Sequence, residues 1–177
     1  EVAPSPQLPE ALRRSIHEAA VHLAESAEYD NVGTFEFLVD GSNLNEEAAY
    51  YFIEANPRLQ VEHTVTEEVT GIDLVRTQLG LASGQTLESL GLTATPSPRG
   101  FAIQLRINME TLKNDGLTLP QTGTLSSFRP PQGPGIRVDT FGYEGYETSS
   151  LYDSLLAKLV VHSGQGDFID AVNRARR

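Results

Sequence analysis

The sequence predicts an α+β protein in which a mostly antiparallel sheet is combined with packed helices. Three features support this fold class. A segment near the start has the period of an amphipathic helix, and two strand-like segments follow it, the first of them alternating, joined by a polar loop. After residue 100, short alternating segments are separated by clusters of Gly and Pro. Strands that follow one another in this way, with helices set apart from them, are typical of the α+β class.

The first predicted element is a helix over residues 9–29, PEALRRSIHEAAVHLAESAEY. Leu12, Ile16, Ala20 and Leu23 recur at helical spacing, and charged residues occupy the other face. Pro9 suits the first turn, where its missing N–H costs nothing.

Two strands joined as an antiparallel hairpin are predicted next. Residues 34–40, TFEFLVD, alternate with the period of a strand, and residues 50–56, YYFIEAN, form the second strand. The polar loop between them, GSNLNEEAA, has a length that most simply closes a hairpin. Glu36 and Glu54 are expected to lie on this hairpin.

Two short helices are predicted after the hairpin. Thr64 and Glu67 have the spacing of a capping box, so a helix is expected to start at Thr64 and to end near Gly71. Asp73 is placed to cap a second helix that runs through about Ala82.

Beyond Gly100 the pattern changes to short strands, predicted at FAIQLRIN, GTLSSF and IRVDT. A helix is expected around Ser154 to Lys158, followed by a strand at LVVHS and a further helix that begins at DFIDAVNRARR. The linker-like stretch TATPSPRG divides the chain into two predicted domains, residues 1–95 and 96–177.

Composition excludes several classes of function. The chain has no cysteine, which excludes disulfides, thiolate metal sites and a cysteine nucleophile. The formal charge is −11, from 24 acidic and 13 basic residues, and no basic run interrupts it, so nucleic acid is not an expected partner. No apolar run reaches the roughly 18 residues of a membrane span, and no signal peptide is present, which predicts a soluble, cytoplasmic protein without a membrane partner.

The predicted hairpin places oxygen ligands together. Glu36 and Glu54 lie on neighbouring strands, and Asn56 shares a face with Glu54. Magnesium at nucleotide sites binds through one or two carboxylates plus substrate phosphates, so this set suits such an ion. The alternative is a solvated acidic face beside an Asn-Pro turn.

The residues after the second strand form a dense polar group. Arg58 offers a planar fork of donors for bicarbonate or an enolate, and Gln60 and the amide of Val61 add further donors. Glu62 is then placed to act as a base. A purely structural Arg58–Glu62 pair is the alternative, and His63 is taken as a structural hydrogen-bonding group.

Arg106 is a further candidate residue, outside these two groups. In FAIQLRIN the apolar residues share one face, so Arg106 projects from the other face together with Gln104 and Asn108. Periodicity alone indicates an ordinary charged residue on the wet side of a sheet.

The string FIEANPRLQVEHTVTEEVTGIDLV, residues 52–75, closely resembles the active-site signature of biotin carboxylases. These are the ATP-grasp subunits or domains of acyl-CoA and pyruvate carboxylases. GTFEFLVD upstream, and RGFAIQLRIN, GTLSSFRPPQGPGIRVDT and GYETSSLYDSLLAKLVVHS downstream, extend the resemblance over nearly the whole chain. Two departures are a longer hairpin loop and NMETLKNDG after the arginine strand.

The resemblance implies a role for each candidate residue. Glu36 and Glu54, assisted by Asn56, would bind the magnesium or manganese that bridges the ATP phosphates. Arg58, Gln60 and Val61 would hold bicarbonate, and Glu62 would deprotonate it to form carboxyphosphate. Arg106 would stabilise the enolate oxygen of biotin.

The resemblance also implies the context of the chain. Residues 1–95 would be the C-terminal part of an ATP-grasp domain, and residues 96–177 a truncated biotin carboxylase C-terminal domain. The ATP-dependent ligase would need the family's upstream phosphate lid, so the chain alone is expected to be inactive. Implied partners are a separate carrier domain that holds biotin, a carboxyltransferase and a second copy bound through the C-terminal domain.

Two other functions remain open from the sequence. One is another ATP-grasp ligase, such as half of a carbamoyl-phosphate synthetase, against which the QVEH string and Arg106 argue. The other is a noncatalytic module for dimerisation and assembly of a carboxylase.

Overall fold

The computed structural model describes residues 1–177, which divide into two compact units. We call Ala3–Pro98 the N-terminal unit, and Glu1–Val2 together with Arg99–Arg177 the C-terminal unit. The structure combines helices with antiparallel strands, as the α+β prediction states, and that prediction is confirmed. No helix is both long and apolar enough to cross a membrane.

The chain begins with a strand of two residues and continues through the elements of the N-terminal unit. The long first helix, the hairpin and the two short helices all form where the sequence predicts them, within a few residues. In chain order the elements are β1 (Val2–Ala3), α1 (Glu10–Ser26), β2 (Thr34–Val39), β3 (Tyr50–Asn56), α2 (His63–Thr70) and α3 (Leu74–Ala82).

The hairpin of β2 and β3 contains a bulge that separates its two faces. Glu36 lies opposite Glu54, but the register then shifts, and Phe37 lies opposite Phe52. Because side chains alternate with a period of two, Phe52 would share the face of Glu54 in a regular strand. The extra residue, Ile53, lets Phe52 turn to the other face, as a β-bulge does.

The face opposite the carboxylates is aromatic. Phe37 contacts both Tyr50 and Phe52, with ring centroids 6.0 and 5.7 Å apart, and Phe35 contacts Tyr29 at 6.1 Å in an edge-to-face arrangement. The hydroxyl of Tyr50 also donates to the Ser15 carbonyl of α1 at 3.4 Å. The hairpin is therefore anchored to α1 by one face, and the carboxylate face is left open.

The predicted capping box at Thr64 is wrong. Helix α2 begins one residue earlier, at His63, with Glu62 as its N-cap and without a side-chain capping bond. Thr64 is fully buried inside the first turn. The Glu67 carboxylate accepts the backbone N–H of Leu74 at 2.8 Å. The pattern fails because burial of Thr64 outweighs its preference for a cap.

The other predicted helix boundaries are confirmed. Gly71 ends α2 in the left-handed conformation, with φ of 74°, which glycine adopts without a steric penalty. The Asp73 side chain accepts the N–H of Arg76 at 2.8 Å and caps α3, which ends at Ala82.

The C-terminal unit is organised around a four-stranded antiparallel sheet in the order β1-β4-β10-β8. Two small two-stranded pairs, β5 with β6 and β7 with β9, accompany it, and a final helix packs on β4 and β10. The elements are β4 (Phe101–Asn108), β5 (Glu110–Leu112), β6 (Thr118–Pro120), β7 (Gly123–Thr124), β8 (Ile136–Thr140), β9 (Glu147–Thr148), β10 (Leu155–Ser163) and α4 (Phe168–Ala175).

The predicted helix around Ser154 to Lys158 is wrong. Residues from Leu155 onward belong to β10, which pairs with both β4 and β8. Leu156, Ala157, Val160 and Val161 are all buried, so both faces of β10 are covered. A strand covered on both faces has a continuous apolar run, which periodicity cannot distinguish from a buried helix.

Two further differences concern the short strands. Of the predicted strand GTLSSF only Gly123–Thr124 forms, paired with Glu147–Thr148. The segment NMETLKNDG, for which no strand was predicted, starts a hairpin in which β5 pairs with β6 around an Asn-Asp-Gly turn. That tripeptide is a strong turn signal that could have identified the hairpin.

Burial in β4 changes along the strand more than between its faces. Ala102, Ile103 and Gln104 are buried, although they point to alternating sides. Leu105 and Ile107 are exposed, at 37% and 45% of their surface. The buried apolar residues of the C-terminal unit therefore concentrate at the start of β4, in β10 and at Ala171 of α4.

Candidate functional site

The hairpin holds two carboxylates directly opposite each other, as predicted. Glu36 and Glu54 are register partners, and Nδ2 of Asn56 donates to an oxygen of each, at 2.9 Å in both cases. Nε2 of Gln60 also donates to Oε1 of Glu36 at 2.9 Å. Like charges opposite each other in a sheet destabilise it, and these two amide groups offset part of that repulsion.

The donor set of this pair fits a magnesium or manganese ion. Two carboxylates with neighbouring amide oxygens supply the hard ligands that such ions take when phosphates complete the shell. Oε1 of Gln60 is buried beside Glu36 without a hydrogen-bond partner. Asn56 presents its nitrogen to the carboxylates, so its amide must turn for Oδ1 to act as a ligand. No group of three or more His, Cys, Asp or Glu forms an alternative site.

Gly33 supports the end of the hairpin that holds Asn56. A Cβ at this position would lie 2.7 Å from the hydroxyl of Tyr29 and 3.0 Å from the carbonyl oxygen of Asn56. The Tyr29 hydroxyl donates to the Val32 carbonyl at 3.0 Å, which fixes its position. Only glycine allows the chain to approach Asn56 this closely.

The predicted bicarbonate residues follow Asn56 in a compact turn. The backbone N–H of Arg58 donates to the Asn56 carbonyl at 2.8 Å, and the guanidinium of Arg58 is exposed. Gln60, Val61 and Glu62 lie between this turn and α2. Of these residues, the structure brings Gln60 into direct contact with the carboxylate pair, through its hydrogen bond to Glu36.

His63 closes this turn. Its Nδ1 lies 2.7 Å from the carbonyl oxygen of Gln60, and its backbone N–H donates to the same oxygen at 3.3 Å. Its Nε2 lies 3.9 Å from Oε1 of Glu67. The sequence indicated a structural hydrogen-bonding role for His63, and the partner in the structure is the Gln60 carbonyl.

Arg106 belongs to the C-terminal unit, whereas the hairpin residues belong to the N-terminal unit. Its guanidinium donates from Nε and Nη2 to Oε1 of Glu1, at 2.8 and 2.7 Å. Its side chain keeps 44% of its surface exposed. The prediction that Arg106 projects to the open side of the sheet is in accord with this exposure.

Three charged residues that the sequence reasoning missed share the face of Arg106. Lys158 lies opposite both Arg106 and Asp139 in the sheet, and Arg137 is two residues from Asp139. Arg137 donates to both oxygens of Asp139, each at 2.9 Å. Nζ of Lys158 lies 3.4 Å from Oδ2 of Asp139. The alternation of Arg137 and Asp139 in IRVDT is the signal that could have placed them on one face.

The positive charges of Arg137 and Lys158 change the pKa of the Asp139 carboxyl. Burial raises the pKa of the Asp139 carboxyl, but Arg137 and Lys158 together outweigh burial and hold that pKa below its usual range. The carboxylate is therefore ionised at neutral pH and fixes the guanidinium plane of Arg137.

Comparison with known proteins assigns each half of the chain to a family. Residues 1–90 match the family described as carbamoyl-phosphate synthase L chain, ATP binding domain. Residues 104–177 match the family described as biotin carboxylase C-terminal domain. The second match separates this chain from a carbamoyl-phosphate synthetase half.

Curated relatives are far longer than the chain. A pyruvate carboxylase of Aspergillus niger is 49% identical over 89% of the chain, which spans 13% of that protein. The alpha3 subunit of a biotin-dependent acyl-coenzyme A carboxylase from Mycobacterium leprae is 45% identical over the whole chain, which spans 28% of it.

Solved structures share the fold. A single-chain, multi-domain long-chain acyl-CoA carboxylase superposes with a TM-score of 0.90 at 45% identity, covering 98% of this chain and 18% of that one. The biotin carboxylase domain dimer of the Hydrogenobacter thermophilus 2-oxoglutarate carboxylase, a complex with MgADP, ADP and bicarbonate, gives 0.85 at 37% identity. This match covers 99% of the chain and 36% of that domain.

Proposed function

The chain belongs to the biotin carboxylase family, as the C-terminal part of its ATP-grasp domain joined to its C-terminal domain, and we propose that it acts within a ligase. This ligase uses MgATP and bicarbonate to carboxylate biotin on a carrier protein. The observation that supports this most strongly is the opposed pair of Glu36 and Glu54, linked through Gln60 to the turn that ends at Glu62.

The first proposed role is metal binding. Glu36 and Glu54 hold Mg²⁺ or Mn²⁺ together with Asn56. The ion neutralises charge on the phosphates of ATP when it is bound. The open carboxylate face of the hairpin leaves room for a nucleotide, since the aromatic face alone packs against α1.

The second proposed role is bicarbonate activation. The exposed guanidinium of Arg58 and the donors of Gln60 and Val61 bind the oxygens of bicarbonate. Glu62, at the N-cap of α2, would remove the proton of bicarbonate. The bicarbonate oxygen would then attack the γ-phosphorus of ATP, and the bond from that phosphorus to the bridging oxygen would break, so that ADP leaves as carboxyphosphate forms. A solved relative in complex with MgADP and bicarbonate supports this pairing of ligands.

The third proposed role belongs to the C-terminal unit. Arg106 stabilises the enolate oxygen of biotin, where fixed positive charge lowers the barrier. The neighbouring Lys158 and Arg137, both paired with Asp139, lie on the same face, and Glu1 orients Arg106. The resemblance of the strand RGFAIQLRIN to the biotin carboxylase family supports this role of Arg106.

The context of the ligase is also proposed. Residues 1–95 and 96–177 are the two domains, and biotin arrives on a separate carrier domain. A carboxyltransferase uses the product, and two copies associate through the C-terminal domain, as the dimer of a solved relative supports. A cytoplasmic location stays a prediction.

The test is ATP cleavage that depends on both bicarbonate and biotin. We compare this chain with a version extended by the upstream segment that its relatives possess. Activity is expected only in the extended version, because the chain spans 13–28% of the curated relatives described above. Activity of the short chain would overturn the need for an upstream phosphate lid, and activity in neither would favour an assembly role.

A further inference from the structure

We infer that His63 is a positioning residue for bicarbonate, an inference that rests on the proposed function of the turn before it. His63 lies directly after Glu62, the proposed base, and is the first residue of α2. Its ring holds the carbonyl of Gln60 and thereby sets the shape of the segment that presents Gln60, Val61 and Glu62.

The chemistry of the contact defines the tautomer. A carbonyl oxygen only accepts hydrogen bonds, so the 2.7 Å contact requires that Nδ1 of His63 carries a proton and donates. The backbone N–H of His63 donates to the same oxygen at 3.3 Å. One residue therefore supplies two donors to Gln60, and the peptide groups between them have little freedom to rotate.

The ring is largely enclosed on its other side. Nε2 lies 3.9 Å from the Glu67 carboxylate, beyond hydrogen-bond distance, and the side chain of His63 has only 17% of its surface exposed. Glu67 is buried and accepts the backbone N–H of Leu74 at 2.8 Å. The ring therefore packs beside a residue that is itself bonded to the start of α3, and this packing limits its movement.

The opposite end of the turn is fixed at the metal carboxylates. The Gln60 side chain donates to Glu36 at 2.9 Å while its backbone carbonyl is held by His63. Gln60 is therefore held at both its side chain and its main chain. Loss of the His63 contact releases only the main-chain end, so bicarbonate binding should suffer while the carboxylate pair keeps its geometry.

Three substitutions separate this role from a general structural one. His63→Asn places an amide nitrogen near the position of Nδ1 and preserves the donor. His63→Gln extends its amide toward the position of Nε2 instead, and His63→Leu has no donor. The order of bicarbonate kcat/KM should be wild type, then Asn, then Gln and Leu, because only Asn restores the contact with Gln60.

The experiment measures steady-state ATP cleavage in the full-length protein and hydrogen exchange of residues 57–66 without substrates. For His63→Leu we expect kcat/KM for bicarbonate to fall on the order of tenfold to a hundredfold. The KM for MgATP should stay within about twofold, and exchange should become faster. His63→Asn should restore both readouts toward wild type.

Two results would overturn the inference: equal behaviour of the Asn and Gln variants, or equal rises in the KM values of bicarbonate and MgATP. If His63→Leu does not fold, the comparison of Asn with Gln still decides. If the wild-type protein shows no bicarbonate-dependent cleavage, the proposed function fails, whereas slower exchange in Asn than in Gln still establishes the contact with Gln60.

Discussion

Strands β3 and β10 are both antiparallel and similar in length, but they differ in how much of their surface is covered. Five of the seven residues of β3 are exposed, whereas none of the nine residues of β10 is. In β10 both faces contribute to stability. In β3 only the aromatic contacts on one face anchor the strand, so that the other face can present carboxylates. The carboxylate pair therefore lies on a strand that has little buried surface.

The largest expected effect is a loss of turnover that leaves the stability of the fold unchanged. Glu62→Gln in the full-length protein removes the proposed base, so bicarbonate-dependent turnover should fall by about 10²-fold to 10⁴-fold. Binding of MgADP should be nearly unchanged, because Glu62 belongs to the bicarbonate side of the site. Glu47→Gln, in the exposed hairpin loop, is the control. Normal turnover in Glu62→Gln would refute its assignment as the base.

A matched pair of leucines tests the contrast in burial. Leu156 in β10 is 8% exposed, whereas Leu38 in β2 is 62% exposed. Leu156→Ala should lower the free energy of unfolding by about 2–5 kcal/mol, since it removes a buried side chain. Leu38→Ala should change it by no more than about 0.5 kcal/mol. Urea unfolding of both variants measures the difference, and similar losses would show that the hairpin is as strongly packed as the sheet.

The opposed carboxylates should cost stability in exchange for metal binding. Glu54→Gln removes one of two like charges that lie opposite each other, and the hairpin should gain about 0.2–1 kcal/mol. Affinity for Mn²⁺ in the presence of ADP should fall by at least about tenfold, because even residues behind the metal ligands have effects of that size. Thermal unfolding and electron paramagnetic resonance of Mn²⁺ measure the two effects. A Glu54→Gln variant that is less stable and binds Mn²⁺ normally would contradict both expectations.

The smallest effect is a pH dependence in the C-terminal unit. The pKa of Asp139 is lower in the folded protein than its usual value, so its contribution to stability is complete above the usual carboxyl pKa. That contribution is lost as the pH falls through the lowered, folded pKa. Asp139→Asn should therefore flatten the loss of stability between about pH 5 and pH 2. Exposed Asp30→Asn is the control, and an equal slope in both variants would exclude Asp139 as a source.

The sequence contained most of the local information and little of the long-range information. Alternation and a polar loop were enough to place Glu36 beside Glu54, and the side chain of Asp73 marked a helix start correctly. The bond from Gln60 to Glu36 joins residues 24 positions apart, and no local pattern encodes it. The bulge was also missed, since the extra residue, Ile53, is an ordinary apolar one within a continuous apolar run.

The errors at β10 and α2 have one physical cause. Leu155 to Lys158 and Thr64 were interpreted from local preferences, a helical run and a capping residue. In the folded protein each lies where burial decides the conformation, within a central strand and within a packed helix start. Tertiary packing outweighed intrinsic preference at both positions.

The distance between the carboxylates and the hairpin loop has a practical consequence for engineering that loop. The carboxylates lie at the end of the hairpin far from the loop, which closes through the bond from the Asp40 N–H to the Ala49 carbonyl at 2.8 Å. Doubling the loop length costs only about 0.6 kcal/mol in chain entropy. A spectroscopic label inserted among residues 41–48 should therefore report occupancy of the carboxylate pair from a distance without displacing it.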